Sequence, residues 1–289
     1  MTHDLSGTGI WSSQLRYGDA AQAADAAAEL ESLGYSALWV PDVGGDLFGA
    51  MENLLAGTRQ ATIATGILNL WMHTPAESAA AYDRMTTTHG RRLLIGIGVS
   101  HAPLIDRKEP GTYTKPLQQM RDYLDGLDAA SPPMPADARC LAALGPKMLE
   151  LAKTRTAGTH PYLVTPEHTA TARERLGAGP LVAPEQGVVL ETDPDKARAI
   201  ARAHLANYLP LPNYFNNWAR IGFTEADRDN GGSDRLVDAL IAWGDEATIV
   251  ERVQAHRDAG AEHVCVQVLT EDPAAFPLDE WRRLAPALT

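Results

Sequence analysis

Only two cysteines occur among the 289 residues, and no block of basic residues stands out. The formal net charge is -12, from 25 basic and 37 acidic residues, which disfavours general binding to nucleic acid or to anionic membranes. Cys140 and Cys265 each lie inside an apolar run and lack the close spacing of metal-binding cysteines. They are therefore expected to be core thiols of a cytoplasmic protein.

Long apolar segments and several catalytic motifs are also missing. The longest apolar-looking region, residues 54–72, contains Arg59, Gln60 and Asn69, which argues against a membrane span. The first residues lack a basic region followed by an apolar core, so no secretory signal is expected. Zinc-type His and Cys spacings, a serine-hydrolase elbow, a Walker loop and the paired carboxylates of glycosidases are all absent from the sequence. We therefore expect no bound metal.

Strand-like and helix-like patterns alternate along the whole length, which indicates a parallel sheet with helical crossovers. The apolar fraction of 45% is sufficient for a large core. The eight predicted strands cover residues 9–11, 35–40, 61–68, 93–97, 139–143, a segment ending at 164, 182–190 and 263–269. Because no linker or break in composition interrupts them, we predict a single α/β domain, residues 1–289, with a (β/α)8 TIM-barrel fold. Residues 209–232 have an irregular pattern and are interpreted as an insertion late in the barrel.

The fourth predicted strand is the most informative stretch of the sequence. Its apolar run is interrupted by Gly96 and Gly98, and glycines at such positions allow a flat ligand to come close. Ser100 and His101 follow, at the edge where barrel enzymes carry their functional groups. The stretch lacks the third glycine of a dinucleotide fingerprint, so a Rossmann site is not expected. A core strand followed by a plain polar loop is the alternative interpretation.

Two later turns have the features of anion-binding helix N-termini. Gly145-Pro146-Lys147 and Thr165-Pro166 each place free N–H groups at the start of a predicted helix. Phosphate sites of barrels cluster after the late strands, and Lys147 would add a positive charge. Ordinary helix capping is the alternative for each turn taken alone.

Five stretches, residues 31–42, 65–75, 92–103, 141–152 and 260–268, together resemble a known family. In order and spacing they are similar to the luciferase-like monooxygenase class. Within it they resemble the oxidoreductases that depend on the deazaflavin coenzyme F420, in an actinobacterial subgroup. The resemblance implies a bacterial luciferase-like TIM barrel, a deazaflavin at the C-terminal edge of the strands, and a homodimer.

The resemblance also assigns residues to the cofactor. It implies a non-proline cis peptide at Gly66-Ile67 behind the ring, an acidic residue near the ring, a loop along the ring edge and a turn that holds the phosphate tail. The implied cofactor-binding residues are Asp42, Gly66, Ile67, Asn69, Val99, Ser100, Leu144, Gly145, Pro146, Lys147 and Thr165. The sequence departs from the family pattern twice, with Val43 where a histidine often follows the acid, and His101 where several members carry glutamate.

The leading hypothesis is hydride transfer between coenzyme F420 and a small organic substrate. His101 is the predicted proton-transfer residue, because an imidazole exchanges protons near neutral pH, and His73, His160 and Asp42 are the alternatives. An FMN-dependent monooxygenase and a deazaflavin-binding protein without turnover are the competing functions. The aromatic residues of 209–232 are expected to line the substrate pocket or to pack at a subunit interface.

Overall fold

The apolar run after Arg92 forms a strand whose six residues, Leu93–Gly98, are all buried. In the computed structural model, which describes residues 5–107 and 110–289, this strand belongs to a sheet in which every pairing is parallel. The strands are β1 (Gly7–Trp11), β2 (Ala37–Val40), β3 (Thr62–Thr65), β4 (Leu68–Asn69), β5 (Leu93–Gly98), β6 (Arg139–Leu141), β7 (Gly158–Thr159), β8 (Leu181–Val182), β9 (Glu185–Val189), β10 (Ile241–Trp243) and β11 (His263–Val268).

The order of the strands in the sheet is β10-β9-β11-β1-β2-β3-β5-β6-β7-β8, and β4 pairs with β5. The segment 181–189, which contains β8 and β9, is hydrogen-bonded on both of its edges. On one edge the Ala183 N–H donates to the Thr159 carbonyl at 2.9 Å, and on the other the Cys265 N–H donates to the Pro184 carbonyl at 2.9 Å. These bonds join the two ends of the sheet, so the predicted TIM barrel is confirmed.

Helices surround the barrel. They are α1 (Gln14–Tyr17), α2 (Ala20–Ser32), α3 (Leu47–Gly57), α4 (Pro75–His89), α5 (Ala102–Ile105), α6 (Pro116–Ala129), α7 (Pro146–Arg155), α8 (Pro166–Leu176), α9 (Pro194–Leu205), α10 (Pro212–Arg220), α11 (Asp234–Leu240), α12 (Glu246–Asp258) and α13 (Leu278–Leu288), with short 3-10 helices at Ala136–Ala138 and Glu225–Gly231. Local chemistry sets the start of α4, where Thr74 and Glu77 form a reciprocal capping box. Of the helices described, none has the length and apolar character needed to cross a membrane.

The late part of the chain differs from its sequence-based prediction. The sequence pattern of residues 234–243 predicts one helix, but α11 ends at Leu240 and the next three residues form β10 beside β9. Short apolar runs do not separate helix from strand by periodicity, which explains the error. The stretch 209–232, expected to be irregular, contains α10 and a 3-10 helix. Its side chains Tyr214, Trp218 and Phe223 are buried within the subunit.

The interior of the barrel combines apolar and polar side chains. Both cysteines are fully buried there, as predicted, and burial raises the pKa of each thiol. Trp39 stacks on the imidazole of His160 with ring centroids 4.1 Å apart, and its indole N–H donates to His263 Nε2 at 3.1 Å. Among the described residues no group of three or more His, Cys, Asp or Glu side chains could hold a metal ion.

Candidate active site

A cavity of about 670 Å³ opens at the C-terminal edge of the strands. Residues at the ends of β1, β2, β5 and β11 form its floor and walls, and α9 and the start of α10 cover one side. This volume lies within the range of small-molecule and cofactor sites, about 300–1,000 Å³. The position is the one that (β/α)8 barrels use for chemistry.

The structure brings most of the predicted site residues together. Those that line the cavity are Asp42, Gly66, Ile67, Asn69, Val99, Ser100, His101 and Leu144. Four others, Gly145, Pro146, Lys147 and Thr165, lie beside the cavity rather than in its lining, at the starts of α7 and α8. The predicted residues therefore form a cavity group and a neighbouring helix-terminus group.

The peptide bond between Gly66 and Ile67 is cis, as the family resemblance implies. The Gly66 carbonyl accepts a hydrogen bond from the Trp11 indole at 2.8 Å. A Cβ atom on Gly66 would lie 2.5 Å from Trp11 Nε1 and 2.7 Å from His160 Nε2, so no side chain fits there. A Cβ atom on Gly98 would likewise lie 2.6 Å from Ile67. The two glycines therefore let backbone, rather than side chains, form this part of the cavity wall.

Hydrogen bonds connect the three loops that follow β2, β4 and β5. Asp42 Oδ2 accepts the Asn69 N–H at 3.1 Å and lies 3.0 Å from His73 Nε2. Asn69 Oδ1 in turn accepts the Trp71 N–H at 3.2 Å, and the Trp71 indole donates to the Val99 carbonyl at 2.7 Å. Because each loop is bonded to the next, the cavity wall from Asp42 to Val99 is held as one unit.

His101 follows β5 and faces the cavity next to α10. Its Nδ1 lies 3.3 Å from the amide nitrogen of Asn213, which also donates to the Ser100 carbonyl at 3.3 Å. A carbonyl only accepts, so the amide nitrogen faces both groups, and His101 Nδ1 must accept while Nε2 carries the hydrogen. Burial lowers the pKa of His101 to about 4. His101 is therefore a neutral imidazole at pH 7, with an N–H available as a donor.

Positively charged side chains lie near the start of α7. Gly145 is the N-cap residue and offers no capping side chain. A Cβ atom there would lie 3.7 Å from a guanidinium nitrogen of Arg220, on α10. Within residues 5–107 and 110–289 no carboxylate pairs with Arg220, and Lys147, in the first turn of α7, is exposed. Helix dipole and guanidinium together favour an anion at this point.

The start of α8 lies close by but has its own negative charge. His168 Nε2 lies 3.1 Å from the Leu144 carbonyl, which ties α8 to the turn before α7. Burial lowers the pKa of His168, and the positive charge of Arg220 lowers it further. Thr165 is buried at the N-cap, and its side chain lowers the pKa of the Glu167 carboxylate. Because Glu167 already supplies an anion there, the start of α7 is the better site for an anionic ligand.

A polar cluster on another wall of the cavity was not predicted. The Tyr162 hydroxyl lies 2.7 Å from Gln267 Oε1, 3.1 Å from His204 Nε2 and 3.2 Å from the Tyr208 hydroxyl. These four residues, called the Tyr162 cluster below, come from the loop after β7, from the end of α9 and the residues just after it, and from β11. One signal was available in the sequence, since Gln267 is a polar residue inside a buried, mostly apolar strand.

Comparison with known proteins agrees with this geometry. The sequence profile of the family described as luciferase-like monooxygenase matches residues 5–263. An F420-dependent secondary alcohol dehydrogenase, solved with an F420-acetone adduct, is 15% identical with a TM-score of 0.75, over 98% of this chain and 99% of the other. A coenzyme F420 dependent tetrahydromethanopterin reductase from Methanopyrus kandleri is 17% identical with a TM-score of 0.75, over the same shares.

A third solved structure holds a different cofactor. The oxygenating constituent of 3,6-diketocamphane monooxygenase from Pseudomonas putida, in complex with FMN, is 14% identical with a TM-score of 0.65. The similarity covers 98% of this chain and 97% of that one. No curated protein matches the sequence. These structural similarities establish the fold, and the profile match over most of the chain establishes the family. The chain belongs to the luciferase-like monooxygenase family.

Proposed function

We propose that the protein is an F420-dependent oxidoreductase that transfers a hydride between the deazaflavin and a small organic substrate. Membership of the family supports an oxidoreductase with a flavin or deazaflavin cofactor. The observation that carries the choice of F420 is the guanidinium of Arg220, which lies near Gly145 at the start of α7 and has no carboxylate partner among the described residues. Leu144, the residue before Gly145, is in the cavity lining. A long anionic tail, which distinguishes F420 from FMN, needs such an extended positive site.

The residues present fit a deazaflavin. Its flat ring matches a cavity whose wall at Gly66 and Gly98 is formed by backbone, and its size leaves room for a small substrate. In this proposal Ile67, Val99, Ser100 and Asn69 contact the ring, and Asp42 lies near it. Leu144, Gly145, Pro146, Lys147 and Arg220 would hold the tail, with Thr165 as a further contact.

Each group of residues then has a defined role. The bound deazaflavin supplies the carbon that carries the hydride, and the protein supplies orientation and a dry environment. The backbone at Gly66 and Ile67 would support one face of the ring, and the aromatic rings of Trp11, Tyr208 and Tyr214, which line the cavity, would help to exclude water. The helix terminus at Gly145 would hold the tail and thereby help to orient the ring.

We propose His101 as the proton-transfer residue. Asn213 accounts for its position and its tautomer, because the amide nitrogen fixes Nδ1 as an acceptor and leaves the Nε2–H for the substrate. In the reducing direction His101 would donate a hydrogen bond to the substrate and, when protonated, a proton. His73 and His160 are less suited. His73 is held by Asp42, and His160 is completely buried beneath Gly66.

Parallel titrations test the cofactor. Purified protein is titrated with F420 and with FMN, and quenching of cofactor or tryptophan fluorescence gives both dissociation constants. F420 should bind more tightly, and the difference should shrink as salt screens the tail. The variant Arg220→Ala should weaken F420 binding more than FMN binding, because FMN reaches fewer of the positive groups. Tighter binding of FMN by the native protein would reverse the proposal.

An FMN-dependent monooxygenase is the second candidate, because the FMN-bound Pseudomonas putida enzyme shares this fold over nearly its whole length. Oxygen consumption with reduced FMN and a panel of ketones and aldehydes separates the two functions. A third possibility is deazaflavin binding without turnover, which predicts tight F420 binding but no hydride transfer to enones, quinones or alcohols.

We also propose that the protein is a homodimer, on the basis of the family resemblance. The exposed large apolar side chains include Tyr17, Val43 and Leu104, all of which line the cavity. Light scattering at micromolar concentration measures the mass directly, and a monomer of 31.1 kDa would contradict the proposal.

A further inference from the structure

The Tyr162 cluster has a definite pattern of donors and acceptors. Tyr162 donates its only hydroxyl hydrogen to Gln267 Oε1 at 2.7 Å. Its oxygen therefore accepts from the other two partners, His204 Nε2 at 3.1 Å and the Tyr208 hydroxyl at 3.2 Å. The hydroxyl of Tyr162 thus has all of its hydrogen-bonding positions occupied, and it fixes the orientation of the three side chains around it.

Several polar groups of the cluster remain free for a ligand. The Gln267 amide nitrogen has two N–H donors without a protein partner among the described residues, although only 7% of the residue is exposed. The Tyr208 oxygen keeps acceptor capacity after its hydrogen is donated to Tyr162. The hydroxyl of Tyr214, also 7% exposed, has no hydrogen-bond partner in the described part of the chain. All three residues line the cavity.

Charge is nearly absent from this part of the cavity. Among the residues that the structure describes, the lining contains no lysine or arginine, and its carboxylates are Asp42, which is held by His73, and Glu271. Burial lowers the pKa of His204 to about 4 and raises that of Tyr208 to about 12, so both are uncharged at neutral pH. An anionic or cationic ligand would therefore lose its hydration without gaining a partner of opposite charge.

We propose that the Tyr162 cluster is the substrate-recognition site, and that it binds an oxygen atom of an uncharged hydroxyl or carbonyl compound through Gln267 and Tyr208. The amide N–H donates to that oxygen, and the Tyr208 oxygen accepts from the substrate when it carries a hydroxyl. This inference rests on the proposed function, because it assigns the substrate of the same cavity.

The cluster and His101 are separate polar positions that both adjoin Tyr214. The ring centroid of Tyr214 lies 5.0 Å from that of His101 and 5.4 Å from that of Tyr208. A substrate that touches both positions has a reacting group near His101 and a further oxygen at the cluster. Molecules with only one of these groups should bind less well, since one position would stay unsatisfied.

Fluorine NMR with small probes tests the proposal on the full-length protein, with and without F420. The uncharged probes are para-fluorobenzyl alcohol and para-fluoroacetophenone, the charged ones are para-fluorobenzoate and para-fluorobenzylammonium, and fluorobenzene is the apolar reference. The alcohol and the ketone should bind at least about fivefold more tightly than fluorobenzene, the effect of one or two neutral hydrogen bonds. The charged probes should bind no better than fluorobenzene.

Variants show whether the cluster causes the preference. Gln267→Leu removes the donor, so the alcohol and the ketone should both bind no more tightly than fluorobenzene. Tyr208→Phe removes the acceptor, so it should reduce the preference for the alcohol, which has a hydroxyl to donate, more than the preference for the ketone. Tyr123→Phe, between α4 and α6 and outside the cavity lining, is the matched control. A preference that survives both variants, equal binding of charged probes, or no preference in the native protein would overturn the inference.

The two proposals fail in different ways. If F420 does not bind, the proposed cofactor is wrong, yet the probes still report on the cluster in the protein without cofactor. If F420 binds normally and the probes show no selectivity, the cofactor assignment stands and the recognition site is wrong. Tyr208→Phe retains the ring and tests the site even if Gln267→Leu disturbs the barrel.

Discussion

The imidazole of His73 lies 3.0 Å from the carboxylate of Asp42, although the two residues are separated by 31 positions in the chain. The Asp42 side chain is completely buried, and that of His73 is 16% exposed. Val43 follows Asp42 where relatives often carry histidine, and it is 71% exposed. The imidazole that contacts Asp42 therefore comes from the loop after β4 rather than from the residue that follows Asp42.

Asp42→Asn is expected to loosen the loops and to weaken cofactor binding. The carboxylate is the common partner of His73 Nε2 and the Asn69 N–H, and an amide serves both less well. We expect a loss of about 1–3 kcal/mol in unfolding free energy, measured by denaturant titration, with a higher F420 dissociation constant. His73→Gln keeps a donor and should have a smaller effect. If Asp42→Asn leaves both quantities unchanged, the carboxylate does not organise this wall.

Positive charge at the start of α7 is expected to set F420 affinity. Arg220→Ala should weaken binding by about 1–3 kcal/mol, because a charge-assisted contact at a helix N-terminus is lost. Lys147→Glu should weaken binding at low salt, since a negative charge would then face the anionic tail. Lys153→Glu, near the opposite end of α7, is the control. An unchanged dissociation constant for Lys147→Glu would show that Lys147 points to solvent.

His101→Gln is expected to lower turnover at least about 100-fold while F420 binds normally. Glutamine keeps a hydrogen-bonding side chain of similar reach but does not exchange protons near neutral pH. Because the pKa of His101 is lowered to about 4, its protonated fraction decreases about tenfold for each pH unit above that value. Reduction should therefore speed up as the pH falls from 8 towards 5 in the native protein. A decrease of less than tenfold in turnover would exclude His101 as the acid.

The barrel was predictable because its signals are local and repeated. Apolar strand patterns such as residues 93–97 and caps such as Thr74 with Glu77 act over a few residues, so each can be read directly. The short β10 was not predictable, since the apolar residues before and after Leu240 form one continuous pattern. The chain becomes a strand there because it pairs with β9, as Ile241 does with Gly187.

The candidate site was predictable in part for the same reason. Ser100 and His101 were identified because they directly follow a strand, and parallel strands end at one edge. Asp42 was identified through the family resemblance. Arg220 and the Tyr162 cluster were missed, since their roles arise from helices folded over the barrel. Arg220 is 75 positions from Gly145, and Tyr162 is 105 positions from Gln267, so only the tertiary structure brings them together.

Glu185 gives a last prediction, on stability. It is completely buried in β9, its Oε2 accepts the Leu163 N–H at 3.1 Å, and Oε1 has no partner among the described residues. Burial raises the pKa of this carboxyl from 4.5 to about 8. Below pH 4.5 the group is protonated in both states. Between pH 4.5 and 8 the unfolded chain releases the proton and the folded chain keeps it, so folding becomes less favourable.

Glu185→Gln removes this titration but keeps an oxygen for the Leu163 N–H. The stability of the variant relative to the native protein should therefore increase between pH 5 and pH 8, by up to about 3–5 kcal/mol, and then level off. Urea unfolding of both proteins at each pH measures the difference, which cancels the titration of all other groups. Glu174→Gln, on the exposed face of α8, is the control and should show no such increase. A difference that stays constant from pH 5 to pH 8 would show that Glu185 is ionised in the folded protein.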